Sequence, residues 1–192
     1  AGSTAGLTYS YWTDAAATIL YSTPKAATAG TYYIKGITSA GCFDIKPVLV
    51  TVIQTPNANA GTGGNECDLT FTFNAVPSVG TGVWSKTSGP GSASFSNVSS
   101  PTATVTVSSY GTYVFTWTEI NGICLSSSSV TVNFYQQPVV SAGTGGNNCG
   151  LDIYLDGTTT VGSGTWSVAS GPGTAVFTPD ANTADALVTV SA

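Results

Sequence analysis

The chain offers few side chains that could carry out chemistry, and carboxylates are the most numerous of them. Its 192 residues include nine Asp and Glu, four Lys, no His and no Met. Without His the chain lacks the side chain that titrates near neutral pH, which excludes His-based triads and His-ligated metal sites. All four basic residues are Lys, so binding of nucleic acid is not expected.

Two pairs of carboxylates are close in sequence, Asp152 with Asp156 and Asp180 with Asp185. On a strand, Asp152 and Asp156 would share a face but lie more than about 12 Å apart. That separation is too large for the paired carboxylates of a glycosidase. We interpret these residues as solvated surface groups and predict no catalytic residue and no enzyme activity.

Metal and cofactor sites are likewise not predicted. Calcium is the cation that Asp, Asn and backbone carbonyls would suit, but no dense Asp-x-Asp-x-Asp loop occurs. The glycine-rich segment Gly61-Thr-Gly-Gly-Asn65 superficially resembles a phosphate-binding loop, yet no Lys follows it and no helix begins there. We interpret that segment as a linker and turn.

Three aromatic residues near the N-terminus are a candidate platform for sugar stacking. Tyr9 and Tyr11 would share one face of a short strand, with Trp12 on the other. The simpler interpretation, core packing plus an ordinary exposed aromatic side chain, is favoured.

The cysteines and the apolar runs indicate the compartment. Cys42, Cys67, Cys124 and Cys149 form no C-x-x-C pair, so a secreted, disulfide-forming chain is a better interpretation than a zinc protein. The longest apolar run, residues 47–53, has the length of a strand, and no membrane insertion is expected. The N-terminus has no initiator Met and no export signal, so we expect a part of a longer protein.

The sequence repeats internally with an offset of 82 residues. The segment Gly61-Thr-Gly-Gly-Asn-Glu-Cys67 returns as Gly143-Thr-Gly-Gly-Asn-Asn-Cys149, and 18 of the 35 residues from 61 to 95 are identical to those from 143 to 177. A weaker similarity links Gly30-Thr-Tyr32 to Gly111-Thr-Tyr113. We therefore predict three units of one kind in tandem: 1–55, 56–138 and 139–192.

Within the middle unit the apolar residues alternate with polar ones, as in half-buried strands. Leu69, Phe71 and Phe73 form one such series, and Tyr113, Phe115 and Trp117 form another. Asn121-Gly122 predicts a hairpin. The fold class predicted is all-β, with tandem antiparallel β-sandwiches whose terminal units are incomplete: the first lacks its opening strands and the third its last strands.

Two positions resemble immunoglobulin-like and PKD-like repeats. Trp84 lies where such a sandwich buries a Trp between its sheets, and Gly111-Thr-Tyr113 resembles the start of the strand that carries a tyrosine corner. The resemblance implies a structural core of Trp84, Tyr113, Phe115, Trp117 and Trp166. Phe115 replaces the usual cysteine two residues after the Tyr, so the usual inter-sheet disulfide is absent.

The positions of the cysteines suggest another bond. Cys67 precedes one strand and Cys124 lies in the predicted hairpin, so we predict that they meet at one end of the sandwich as a disulfide. Cys149 and Cys42 then require partners outside the chain.

Longer phrases, among them Tyr11-Trp-Thr-Asp-Ala-Ala-Ala17 and Gly30-Thr-Tyr-Tyr-Ile-Lys-Gly36, resemble tandem repeats of very large surface proteins of Bacteroidota, the class that includes SprB-type gliding-motility adhesins. The resemblance implies export by the type IX route and an extracellular location on the cell surface. Neighbouring repeats of the same chain would be its partners, and a surface polysaccharide is a candidate target. The resemblance favours non-catalytic extension repeats of a surface adhesin or filament. The alternatives are a glycan- or calcium-binding module, a subunit of a strand-donating fibre, and an accessory domain of an enzyme.

Overall fold

The computed structural model of the chain describes residues 6–191, and in that range it contains fifteen β-strands, a 3-10 turn at Pro24–Ala26 and no α-helix. The all-β fold class predicted from the alternating residues is confirmed. By its contacts the chain divides into unit 1, which comprises Ala1–Asn57, Ser78–Thr81 and Glu119–Ser126, and unit 2, which comprises Ala58–Pro77, Gly82–Thr118 and Ser127–Ala192. The repeat boundaries 1–55, 56–138 and 139–192 remain a prediction.

The first strands form an antiparallel sheet in unit 1. Strands β1 (Leu7–Trp12), β2 (Gly30–Thr38) and β3 (Phe43–Val50) are ordered β1-β2-β3. In this register Tyr9 lies opposite Gly36. Every residue of the three strands is half-buried or exposed, so both faces of this sheet remain accessible.

Seven strands follow between residues 64 and 134: β4 (Gly64–Glu66), β5 (Thr70–Thr72), β6 (Thr81–Ser88), β7 (Ala93–Phe95), β8 (Thr104–Val107), β9 (Gly111–Asn121) and β10 (Cys124–Phe134). They form a four-stranded sheet in the order β4-β10-β9-β6 and a three-stranded sheet in the order β5-β8-β7. Strand β4 pairs with β10 in parallel, whereas β5 and β7 pair with β8 antiparallel. The segment interpreted as a turn at residues 61–65 thus contributes part of a strand.

Apolar side chains of these two sheets form the core of unit 2. The buried members are Ala60, Phe73, Ala75, Trp84, Ala103, Val105, Val107, Tyr113, Phe115, Trp117, Val130, Val132 and Phe134. Phe73 stacks on Trp84 with ring centroids 3.9 Å apart, and Trp84 lies 5.3 Å from Trp117. Burying each large apolar side chain stabilises the fold by about 1.5–3 kcal/mol.

The last strands, also in unit 2, form two small sheets. Strands β11 (Val140–Ser141) and β13 (Thr158–Thr159) pair with each other, and β12 (Asp152–Tyr154), β15 (Leu187–Val190) and β14 (Ala175–Thr178) form a sheet in the order β12-β15-β14. Ala186 and Val188 are buried here, whereas Trp166 is half-buried.

Candidate functional site

The carboxylates considered for catalysis hold turns and strands together. Asp180 accepts hydrogen bonds from the backbone N–H of Asn182 (2.8 Å) and from Thr183 Oγ1 (3.2 Å), which closes the turn after β14. Asp152 accepts one from Thr189 Oγ1 across the β12–β15 pair (2.6 Å). Among residues 6–191, no group of three or more His, Cys, Asp or Glu residues is arranged to hold a metal ion.

The aromatic residues considered for sugar stacking lie on β1, in unit 1. Tyr9 packs over Gly36, with Cε1 3.5 Å from the position that a Cβ there would take. The Trp12 indole N–H donates to Ser10 Oγ at 2.9 Å, and the Tyr11 side chain is 37% exposed. Tyr9 is thus engaged with its own sheet, and Trp12 is on the opposite face of β1 from Tyr9 and Tyr11.

The predicted core residues lie in unit 2. Trp84, Tyr113, Phe115 and Trp117 are all at most 3% exposed, whereas Trp166 is half-buried. The Tyr113 hydroxyl donates to the backbone oxygen of Ser109 at 2.9 Å, four residues upstream. This bond has the geometry of a tyrosine corner, and it fixes the connection that leads into β9.

The predicted bond between Cys67 and Cys124 is not formed, and all four cysteines are free thiols. Glu66, directly before Cys67, pairs with Phe134 at the end of β10, whereas Cys124 is the first residue of that strand. Ten residues of strand correspond to about 33 Å. A disulfide requires Cα atoms about 4.4–6.8 Å apart, so this pairing within one chain was wrong. The exposed Cys42 and Cys149 stay predicted to pair outside the chain.

A buried carboxylate in unit 1 fastens the segment that precedes β4, and the sequence analysis missed it. Glu119 is 1% exposed and accepts hydrogen bonds from both the backbone N–H (3.1 Å) and the hydroxyl of Ser78. The Ser78 hydroxyl oxygen in turn accepts from the backbone N–H of Asn57 at 2.8 Å. The signal was present in the sequence, because Glu119 continues the inward series of Tyr113, Phe115 and Trp117.

Two further hydrogen bonds within unit 1 hold the segment that precedes β4. Asn121 Nδ2 donates to the backbone oxygen of Gln54 at 2.9 Å, and the Cys124 thiol donates to that of Ile53 at 3.8 Å. We define the junction network as the hydrogen bonds that Ser78, Asn121 and Cys124 make to residues 53–57, together with the bonds from Ser78 to Glu119. It ties a connecting segment to side chains rather than leaving it as a free linker.

Asp14 closes a turn of unit 1 that runs from residue 14 to residue 19 and contains three consecutive Ala residues. Its carboxylate accepts from the backbone N–H groups of Ile19 (2.7 Å) and Thr18 (3.0 Å) and from the Thr18 hydroxyl (2.9 Å). These bonds, that of Ile19 foremost, hold the pKa of Asp14 below its ordinary value of 3.8.

A groove of about 210 Å³ lies in the last part of unit 2. Its walls include Ala142, Gly157, Gly164, Trp166 and Ala184, and none of its lining residues is charged. Polar residues line it as well, namely Ser141, Thr158, Thr159, Thr165 and Asn182, so hydrogen-bonding groups lie beside the Trp166 ring.

Comparisons with known proteins show the fold. No family model matches the chain, and no curated protein matches it. A fragment of three immunoglobulin domains from the I-band of titin is 14% identical, covers 97% of this chain and 77% of its own, and has a TM-score of 0.50. The PKD domain of KIAA 1837 protein is 28% identical over 50% of this chain and all of its own, with a TM-score of 0.38. Domains 4 and 5 of the S-layer protein SbsC are 16% identical, cover 68% of this chain and 71% of their own, and have a TM-score of 0.32.

The likeness to the titin fragment shows an immunoglobulin-like fold. In the residues that the structure describes, no helix is long and apolar enough to cross a membrane.

Proposed function

We propose that the chain is a run of non-catalytic extension repeats from a secreted cell-surface adhesin or filament that supports surface adhesion or gliding motility. The observation that carries the proposal is the use of its buried polar group. Glu119 is the buried charged residue among residues 6–191, and its carboxylate fastens Ser78 rather than facing a cleft. The buried carboxylate therefore holds a connecting segment in place rather than binding a substrate. A domain of this kind is suited to bear tension along an extended chain.

The junction network supports this role. Side-chain bonds to the backbone of Gln54 and Asn57 shorten the freely rotating part of the connection. In a tandem array each repeat contacts chiefly its neighbours, so stiff joints make an extended chain of semi-rigid units. The semi-rigid bodies of this proposal are the sequence repeats 1–55, 56–138 and 139–192, rather than units 1 and 2 of the contact analysis. Neighbouring repeats are partners of one another.

The surface location and the role in gliding rest on the resemblance of the sequence to Bacteroidota surface repeats. The exposed faces suit this setting, since 7% of the residues are charged and the outward positions of β9 and β10 are mostly Ser and Thr. The type IX export route is proposed on the same resemblance.

Binding measurements on the chain separate this function from a glycan- or calcium-binding module. Isothermal calorimetry against Ca²⁺ and against surface polysaccharide is expected to show no saturable heat, and the melting temperature is expected to be equal in Ca²⁺ and in EDTA. Saturable binding of either ligand would replace the extension role with a binding role.

Antibody fragments against residues 56–138 should decorate threads on intact cells of the source. Staining confined to the cytoplasm would contradict the surface proposal.

A further inference from the structure

Asn121 is the one asparagine in the sequence that a glycine follows. The backbone nitrogen after an asparagine can attack the side-chain carbonyl carbon, because the bond that forms closes a five-membered ring. A Cβ on the following residue hinders this attack, and Gly122 has none. Asn121 is therefore the asparagine whose sequence context most favours loss of the side-chain amide.

The turn that carries the attacking nitrogen is open to solvent. Asn121 ends β9, and Gly122 and Ile123 form the turn that leads into β10 at Cys124. Gly122 is exposed and Ile123 is 93% exposed, so water and hydroxide reach the Gly122 N–H.

The fold itself requires glycine after Asn121. Gly122 has φ = +59°, in the left-handed region that side chains rarely adopt. A Cβ there would also lie 2.7 Å from Ile53 Cδ1. The residue that makes Asn121 reactive is thus the one that this turn needs.

The amide of Asn121 has a definite task in the junction network. Its Nδ2 donates to the backbone oxygen of Gln54 at 2.9 Å. That oxygen can only accept, so the bond needs a donor at position 121. A carboxylate there would set one acceptor against another, and the bond would be lost.

We infer that Asn121 is a site of spontaneous deamidation, with water as co-reactant, and that its conversion loosens the junction network. The Gly122 nitrogen loses its proton to solvent base and bonds to Asn121 Cγ. The Cγ–Nδ2 bond breaks, and Nδ2 takes up a proton and leaves as ammonia. Water then opens the cyclic imide at either carbonyl, which leaves an aspartyl or an isoaspartyl residue. The net reaction consumes one water and releases one ammonia.

Both products change the joint in the same direction. Each replaces the donor to Gln54 O by a carboxylate, and the isoaspartyl product also lengthens the main chain by one methylene group where β9 enters the turn. The reaction is irreversible, so a held connection becomes a freer one permanently. The inference does not depend on the adhesive role, and its failure would leave the proposed function standing.

Peptide mapping by mass spectrometry tests the site in the full, folded chain during storage in mildly alkaline and mildly acidic buffer. Conversion at Asn121 should be faster in alkali, and an isoaspartyl methyltransferase should label part of the product. Asn74 in the same digest is the matched control: its amide also donates a hydrogen bond, to Thr62 Oγ1 at 3.1 Å, but Ala75 follows it.

Asn121 should convert at least about tenfold faster than Asn74, because Gly122 leaves the attacking nitrogen unhindered. Asn121→Gln should stay unconverted, since its side chain would have to close a six-membered ring. Equal rates at Asn121 and Asn74 would overturn the inference.

Hydrogen exchange tests the effect on the joint, after anion exchange separates the converted chain by its added negative charge. The Asn57 amide, which donates to Ser78 Oγ at 2.8 Å, should exchange about fivefold faster, the change expected for loss of one hydrogen bond to the same segment. The Ser92 amide, which donates to Ser108 Oγ at 2.8 Å, is the control and should not change. Freshly made Asn121→Asp should match the converted chain. Unchanged exchange at Asn57 in the converted chain would overturn the inference.

Discussion

Gly82 on β6 makes room for the indole of Trp117 on β9, since a Cβ at Gly82 would stand 1.9 Å from Cζ2 of that ring. In unit 1 a looser pair occurs: β1 supplies the ring of Tyr9, and β2 supplies Gly36 opposite it. A Cβ at Gly36 would lie 3.5 Å from Tyr9 Cε1, which is an ordinary contact. Glycine is therefore required by the ring at position 82, in the packed core, but not at position 36.

Replacing Gly82 by Ala should destabilise the sandwich by about 1–3 kcal/mol, because the new methyl group displaces the Trp117 ring from a packed core. Urea unfolding followed by tryptophan fluorescence measures the loss. Gly164→Ala is the control, and its effect should stay within about 0.5 kcal/mol. Equal losses in the two variants would show that the cost arises from the backbone rather than from the collision.

Tyr113→Phe should destabilise the sandwich by about 1 kcal/mol, because it removes the hydrogen bond to Ser109 O while keeping the ring. The free energy of unfolding in urea is the measurement. Tyr110→Phe, at a side chain that is 41% exposed, should change it little. If Tyr113→Phe lowers the free energy of unfolding no more than Tyr110→Phe does, the hydrogen bond of the tyrosine corner does not stabilise the sandwich.

Glu119→Gln should cost about 1 kcal/mol, because hydrogen bonds from Ser78 to a charged acceptor are stronger than those to an amide. A double-mutant cycle with Ser78→Ala should give a coupling free energy of about 1–2 kcal/mol. Glu66→Gln, at a half-buried position of β4, is the control. A coupling near zero would mean that the junction network does not act through this pair.

The thiols of Cys67 and Cys124 should react independently. Oxidation followed by proteolysis under non-reducing conditions should yield no peptide that links the two residues, because they lie near opposite ends of β10. Mass spectrometry of the digest makes the measurement. Detection of the linked peptide in the monomer would require a different pairing of β4 with β10.

Lowering the pH should release the turn at Asp14. Its pKa is below 3.8 in the folded chain, so the carboxylate stabilises the turn fully above about pH 3.8, and this contribution is lost as the pH falls through the lower, folded value. A carboxyl NMR titration should give a midpoint below 3.8. Protection of the Ile19 amide should fall over the same range, and Asp14→Asn should abolish that dependence. A midpoint at or above 3.8 would contradict the bonding described.

Local patterns were enough for much of the sandwich. Alternation at Leu69–Phe73 and at Tyr113–Trp117 located β5 and β9 because a strand exposes alternate residues to one face, and this rule requires no knowledge of distant partners. The internal offset of 82 residues likewise matched Trp166 to Trp84. The backbone and indole N–H groups of both residues donate to backbone oxygens at corresponding positions, but Trp166, predicted as a core residue, is half-buried whereas Trp84 is buried.

Pairing between distant segments was decided by the tertiary structure. The parallel pairing of Glu66 with Phe134 sends Cys67 and Cys124 toward opposite ends of β10, and no local pattern encodes which edge a three-residue strand joins. The same holds for Glu119, whose partner Ser78 lies 41 residues away. The sequence determined which residues face inward, because that depends on the two-residue alternation of apolar and polar side chains along each strand. The fold decided which inward residues meet, because that depends on the register between strands.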